Sequence, residues 1–318
     1  MDQRRLGESG LAVSAVGLGC NNLGRPGTAT ETLTGTRAVV DAALDAGITF
    51  FDVADAYGSP RGRSEELLGQ SLSGRRDLAV IATKFGMDML GSNGPDFGAR
   101  GSRRYVRRAV ESSLRRLATE WIDLYQLHRP DPLTPVEETL SVLDDLVREG
   151  KIRYVGHCNL AGWQIADTSW TATSAGLTAP VSSQHHYSLL SREVEREVVP
   201  AVERFGLGML PYFPLANGLL TGKYRPDQIP PAGSRLADRT QLLAEAPWNR
   251  IEKLRVFADQ RGITMSTVAL GWLAAQPTVS SVIAGATTPE QVRANAQAAS
   301  WVPNDDDLAT LNSTCPAA

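Results

Sequence analysis

The chain has 318 residues, 42% of them hydrophobic, and its 32 basic and 35 acidic side chains leave a net charge of −3. That length can bury a large core, while the balanced, interspersed charge offers neither nucleic acid nor an anionic membrane a basic surface. Cys20, Cys158 and Cys315 are too scattered for a disulfide framework or paired metal ligands, no stretch reaches transmembrane length, and no apolar signal core follows Met1. A reducing compartment, most simply the cytoplasm, is expected.

Residues 5–13 are two short apolar pieces around a Gly/Ser turn, which predicts a small hairpin. A brief strand over 16–20 ends in glycine. The helix predicted over 30–46 puts Val39, Val40, Ala43 and Leu44 on one face and ends at Gly47. Residues 48–53, rich in β-branched and aromatic side chains, predict a buried strand that carries an acid, Asp52, and leads to Tyr57 and Gly58. A helix over 63–72 turns Leu67 and Leu68 inward. Residues 78–83 form the next strand and close on Lys84.

A helix over 102–117 has Ser102 as its N-cap, and its Arg103, Arg104, Arg107 and Arg108 read as a solvated face. The alternation continues with strands at 122–127, 152–156, 181–185 and 207–212, and helices at 135–148, 161–175 and 192–205. A long irregular segment then runs to about Ala246. Helices at 251–260 and 264–275, a last strand at 281–284 and a last helix at 289–299 complete the chain.

Eight strand–helix units predict a parallel sheet closed into a (β/α)8 TIM barrel, a single domain over 1–318 with a short N-terminal β-hairpin and long C-terminal-rim loops. An open doubly wound sheet would carry a glycine-rich dinucleotide turn after its first strand. Gly17-Leu18-Gly19-Cys20-Asn21-Asn22 lacks the third glycine.

In such a barrel, chemistry sits where strands leave the C-terminal rim. Asp52 and Tyr57 follow the second strand, Lys84 the third, His128 the fourth, and Cys158 with Asn159 the fifth. Gln184, Tyr212 and Gly285 mark the sixth, seventh and eighth. A buried, ionised Asp52 needs a partner, and Lys84 is the first candidate. An ammonium about 4 Å from the Tyr57 phenol is worth ~4 kcal/mol at an effective dielectric of about 20, or ~3 pKa units. Lys84 is therefore expected to bring Tyr57 toward neutrality as a proton donor, with Asp52 holding Lys84 charged and His128 hydrogen-bonding the same substrate oxygen. Such a donor suits carbonyl reduction by a bound hydride source.

The ordered motifs 51–58 (Phe-Asp-Val-Ala-Asp-Ala-Tyr-Gly), Thr83-Lys84, Leu127-His128, Gly156-His157-Cys158-Asn159, Tyr187-Ser188-Leu189-Leu190 and 212–224 resemble the aldo-keto reductase family, over about 5–299. The resemblance implies that Asp52, Tyr57, Lys84 and His128 form a catalytic tetrad. Tyr57 would be the proton donor as the 4-pro-R hydride of NADPH passes to an aldehyde or ketone. It also implies that Asn159 and Gln184 hold the carboxamide, that Tyr212 stacks on the nicotinamide, and that Leu215, Gly218 and Lys223 pass the pyrophosphate. Phe213, Pro214 and Asn217 fall in the same segment.

The chain departs from that pattern in three places. Cys158 and Phe213 stand where the family often has serine. Gly285, Thr287 and Gln291 stand where lysine or arginine commonly holds the adenosine 2′-phosphate, with Asn295 as an adenine contact. Thr288-Pro289-Glu290-Gln291 reads as a capped helix N-terminus, which attracts anions, although Glu290 opposes this; Arg293 is the nearby cation. NADPH is expected and NADH is not excluded. Phe85, Arg129 and Trp248 are the expected pocket walls, under loops at 86–101 and 223–247. The competing readings are a cofactor-binding barrel resembling potassium-channel β subunits and a lyase with Lys84 as Schiff base.

Overall fold

Eight parallel strands close into a barrel in the computed structural model, which describes residues 1–317 apart from Asp227, Ala232, Gly233 and Asp238. A two-stranded antiparallel hairpin, β1 (Gln3–Arg5) and β2 (Ala12–Ser14), comes first. The barrel strands are β3 (Val16–Gly19), β4 (Phe50–Asp52), β5 (Val80–Phe85), β6 (Ile122–Leu127), β7 (Ile152–Cys158), β8 (Ser182–His186), β9 (Gly208–Tyr212) and β10 (Val282–Gly285). They follow one another around the barrel in chain order, and β10 pairs with both β9 and β3. Around them run α1 (Leu33–Asp45), α2 (Arg63–Ser71), α3 (Arg103–Leu117), α4 (Val136–Arg148), α5 (Gly162–Ala175), α6 (Val198–Arg204), α7 (Thr240–Ala244), α8 (Trp248–Gln260), α9 (Met265–Ala274), α10 (Pro289–Ala298) and α11 (Asp305–Thr314).

The two-residue period of a strand separates two cores. Phe50, Ala82, Leu124, Leu210 and Ile283 fill the barrel interior. Their chain neighbours Phe51, Ile81, Tyr125, Met209 and Val282 point outward and pack under the helices. The hairpin contributes Leu6 and Val13 to the interior cluster and closes the barrel floor. It docks tightly: a Cβ on Gly7, whose φ is +59°, would stand 2.4 Å from the Gly206 carbonyl oxygen.

Several helix details differ from expectation. The segment 192–205 is a 3-10 turn at Glu193–Glu195 followed by the short α6. Pro200 is tolerated in the first turn of α6, but a helix starting at 192 would place it in the interior, where it lacks a donor and clashes with the preceding turn. Ser102 sits at the N-cap of α3, yet its hydroxyl donates to the Ala99 carbonyl; the Arg103 N–H donates to Glu138 instead, at 2.9 Å. The basic face of α3 is solvated as expected, with Arg103, Arg104 and Arg108 exposed, although Arg103 also pairs with Asp145 and Arg107 with Glu149. The sequence reading omits α11, which Asn304 and Asp307 cap reciprocally.

Candidate active site

The inward register that fills the barrel with apolar side chains continues upward into polar ones. Two residues beyond Phe50 is Asp52, two beyond Ala82 is Lys84, and two beyond Leu210 is Tyr212. Lys84 is fully enclosed, and its ammonium has three acceptors for its three hydrogens. It donates to Asp52 Oδ2 at 2.8 Å, to the Val53 carbonyl at 3.0 Å and to Tyr57 Oη at 3.5 Å. The other carboxylate oxygen of Asp52 accepts from Gln184 Nε2 at 2.8 Å. The His128 ring meets the Tyr57 ring edge-on, with centroids 5.7 Å apart.

Electrostatics correct one expectation. Burial pushes the Tyr57 phenol up to about 12; Lys84 lowers it, and Asp52 raises it again. The ammonium is close enough, but the carboxylate that holds it cancels much of its field, so the phenol keeps its proton. Lys84 lies above the ordinary lysine value: burial alone would lower it, but Asp52 and then Tyr57 raise it further. His128 is held well below the ordinary histidine value by burial, then by Lys84 and Arg129, so its ring is neutral.

The cleft above this cluster encloses about 930 Å3. Tyr57, Asp52 and His128 line it, with Lys84 beneath. Every expected cofactor contact except Cys158 also lines it: Asn159, Gln184, Tyr212, Phe213, Pro214, Leu215, Asn217, Gly218, Lys223, Gly285, Thr287, Gln291 and Asn295. Asn159, in left-handed conformation (φ +61°), donates to the His128 carbonyl at 3.0 Å and accepts from the Tyr212 hydroxyl at 2.9 Å. Phe213, Ala216 and Asn217 are also left-handed, and bend the segment after β9 along the cleft wall. At the start of α10 the Thr287 N–H donates to Gln291 Oε1 at 2.8 Å.

Other placements differ. Cys158 is fully buried, 3.9 Å from Gln126 Oε1, and does not line the cleft. Phe85 does not wall the pocket: following inward-facing Lys84, it points outward and stacks on Tyr125 with centroids 4.7 Å apart. Trp248 opens α8, packs on the helix-side core and donates its indole N–H to the Leu243 carbonyl. Arg129 does line the cleft. Arg293 is exposed, 3.8 Å from Glu290, and is not part of the lining. From 86–101 only Met87 lines the cleft; 223–247 contributes Lys223, Ser234 and Arg235, with Asp227, Ala232, Gly233 and Asp238 outside the described residues.

The sequence reading missed two groups. Arg25, Arg61 and Arg235 line the cleft from rim loops; of these only Arg61, just past Tyr57, carried a signal in the sequence. The second group is a buried chain behind the Tyr57 loop. Glu65 accepts from Thr83 and from Arg116, each at 2.6 Å; Arg116 also reaches Asn93, which donates to Asp55 at 3.1 Å. Glu65 lies three residues before the inward Leu68, so its place on a buried helical face was readable. Burial, and next the charge of Glu65, push Asp55 up to about 8.

The family model for the aldo/keto reductase family matches residues 15–315. The Bacillus subtilis protein named uncharacterized oxidoreductase YrpG is 37% identical, with 99% of this chain and 96% of that protein covered. L-glyceraldehyde 3-phosphate reductase of Escherichia coli is 36% identical over 94% of this chain and 87% of its own length. The rice protein named probable voltage-gated potassium channel subunit beta is 35% identical over 95% and 92%. With a family match over nearly its whole length, such relatives and a closed eight-stranded barrel, the chain belongs to the aldo/keto reductase family.

Proposed function

We propose that this protein reduces an aldehyde or ketone with NADPH, Tyr57 giving the proton to the carbonyl oxygen. The observation that carries the reading is the enclosed ammonium of Lys84, shared between Asp52, the Val53 carbonyl and the Tyr57 hydroxyl directly beneath the cleft. The residues present fit a nicotinamide dinucleotide. Tyr212 offers a half-buried aromatic face, Asn159 and Gln184 bring amides to the cleft, the buried Asn217 Oδ1 lacks a partner among the described residues, and Lys223 adds positive charge. When bound, the reduced nicotinamide supplies the hydride.

The side chains do the rest. Burial keeps the phenol protonated until a carbonyl oxygen takes the proton, and Lys84 then stabilises the phenolate 3.5 Å away. Asp52 fixes Lys84, and Gln184 fixes Asp52. A neutral His128 can donate an N–H to the same carbonyl oxygen without competing for the proton.

NADH is the second reading for the cofactor. Gly285, Thr287 and Gln291 bring no cation to α10, and Arg293 turns to Glu290 instead. The three free cysteines suit a reducing compartment such as the cytoplasm. Among the described residues, no helix is long and apolar enough to cross a membrane. The test is loss of reduced-nicotinamide absorbance over a panel of aldehydes, ketones and sugars with each cofactor. Turnover supports the reductase. Cofactor binding without turnover would favour a non-catalytic binding barrel.

A further inference from the structure

The cleft is cationic out of proportion to the chain. The protein carries a net charge of −3, yet Arg25, Arg61, Arg129, Lys223 and Arg235 line the cleft against one carboxylate among the described residues, Asp52, which Lys84 already neutralises. Lys223 and Arg235 lie on the segment after β9 that carries the proposed dinucleotide contacts, and the Arg235 guanidinium stands 5.1 Å from the Phe213 ring. The other three leave different rims. Arg25 follows β3, Arg61 lies four residues past Tyr57, and Arg129 adjoins His128.

Some arginines elsewhere in the chain find carboxylates, among them Arg63 with Glu66, Arg100 with Asp96, Arg116 with Glu65 and Arg153 with Asp123. Among the described residues, no carboxylate pairs with Arg25, Arg61 or Arg129, and no protein oxygen accepts from their side chains. Guanidinium groups gathered at a concave site without counter-ions form a receptor for a bidentate oxyanion, and their joint field draws anions in. The rims of Arg61 and Arg129 carry Tyr57 and His128, whereas the proposed nicotinamide contacts come from β7 onward. The anion they face is therefore on the molecule whose carbonyl meets Tyr57.

We propose that the carbonyl substrate carries an oxyanion, a phosphate or carboxylate, held by Arg61 and Arg129 with Arg25 alongside; this rests on the reductase reading. The anion takes no part in the chemistry. A hydride from the reduced nicotinamide adds to the carbonyl carbon, the Tyr57 proton adds to the oxygen, and the product is the corresponding hydroxy phosphate or hydroxy acid with the oxidised cofactor.

The experiment compares kcat/KM for matched pairs, glyceraldehyde 3-phosphate against glyceraldehyde and succinic semialdehyde against butanal, in wild type, Arg61→Met and Arg129→Met. The anionic member of at least one pair should be favoured about tenfold or more, equivalent to about 1.4 kcal/mol, through KM, and less so as salt rises. Each substitution should lower that ratio about tenfold. As a readout independent of turnover, glycerol 3-phosphate and succinate are titrated calorimetrically into protein saturated with NADP+. At least one should bind to wild type and weaken in both variants, with thermal midpoints confirming that the variants fold.

Equal kcat/KM within both pairs, or a preference that neither substitution changes, overturns the inference. So does a loss of NADPH affinity in the variants in place of the loss of anion preference, because the arginines would then serve the cofactor. Neutral aldehydes reduced without anionic preference would leave the reductase standing and remove the substrate class. Failure of every carbonyl with both cofactors would remove the reductase, while the titration would still decide whether the anion site exists.

Discussion

Replacing Lys84 with Met keeps most of the stem and removes the charge. The Asp52 carboxylate, 3% exposed, would then keep only the Gln184 amide at 2.8 Å. Removing one partner of a buried ion pair costs about 3–5 kcal/mol, because the other charge is left uncompensated. Lys84→Met should lose about that much by urea denaturation at neutral pH, whereas Asp52→Asn/Lys84→Met should recover a large part of it, since no buried charge remains. The lysine's folded pKa is raised, so its contribution is fully present below the ordinary lysine value and is lost as pH rises through the higher folded one. The difference between wild type and Lys84→Met should therefore stay level from about pH 6 to about 9. A single variant costing under about 1 kcal/mol, as an exposed pair would, or a double variant no better than the sum of the singles, would refute the reasoning.

Three further outcomes follow from the same geometry. Asp55 is raised to about 8, so its contribution to stability is present below the unfolded carboxylate value and lost as pH rises through about 8. Thermal midpoints of Asp55→Asn should accordingly gain on wild type between about pH 6 and about 9; parallel curves would contradict this. With His128 already neutral, the pH profile of kcat/KM should show no limb near about 6.5, and a histidine-like break there would reassign the residue. A Cβ on Gly156 would stand 2.2 Å from Ser182 Oγ inside the barrel, so Gly156→Ala should cost about 1–3 kcal/mol. Ser182→Ala in the same chain should recover part of that loss, and failure to do so would place the strain elsewhere.

Strand–helix alternation and its period carried the architecture in the sequence. In β6, a mostly apolar run preceded by Thr119-Glu120 and followed by His128-Arg129-Pro130, the expected and observed limits coincide at Ile122–Leu127. Alternation also explains why Asp52, Lys84, Gln184 and Tyr212 were readable as one site: each continues the inward parity of its strand. The same rule turns Phe85 outward, and there adjacency to Lys84 misled because it ignored parity. The Tyr57 shift was misjudged because a pairwise Coulomb term omits burial and the carboxylate that already owns the lysine's field. The partners of Glu65 were not legible, since Arg116 and Asn93 meet it only after α2 and α3 pack. The unpaired state of the rim arginines likewise emerges only once loops from three rims share a cleft.

The most direct measurement is carbonyl reduction by Tyr57→Phe, run beside a fluorescence titration of NADPH. Removing the hydroxyl deletes the proposed proton donor and leaves the ring, the Lys84–Asp52 pair and the proposed cofactor contacts in place. Turnover should fall by about 10²–10⁴-fold while NADPH still binds. Turnover close to wild type in that variant would contradict the assignment of Tyr57 as the acid.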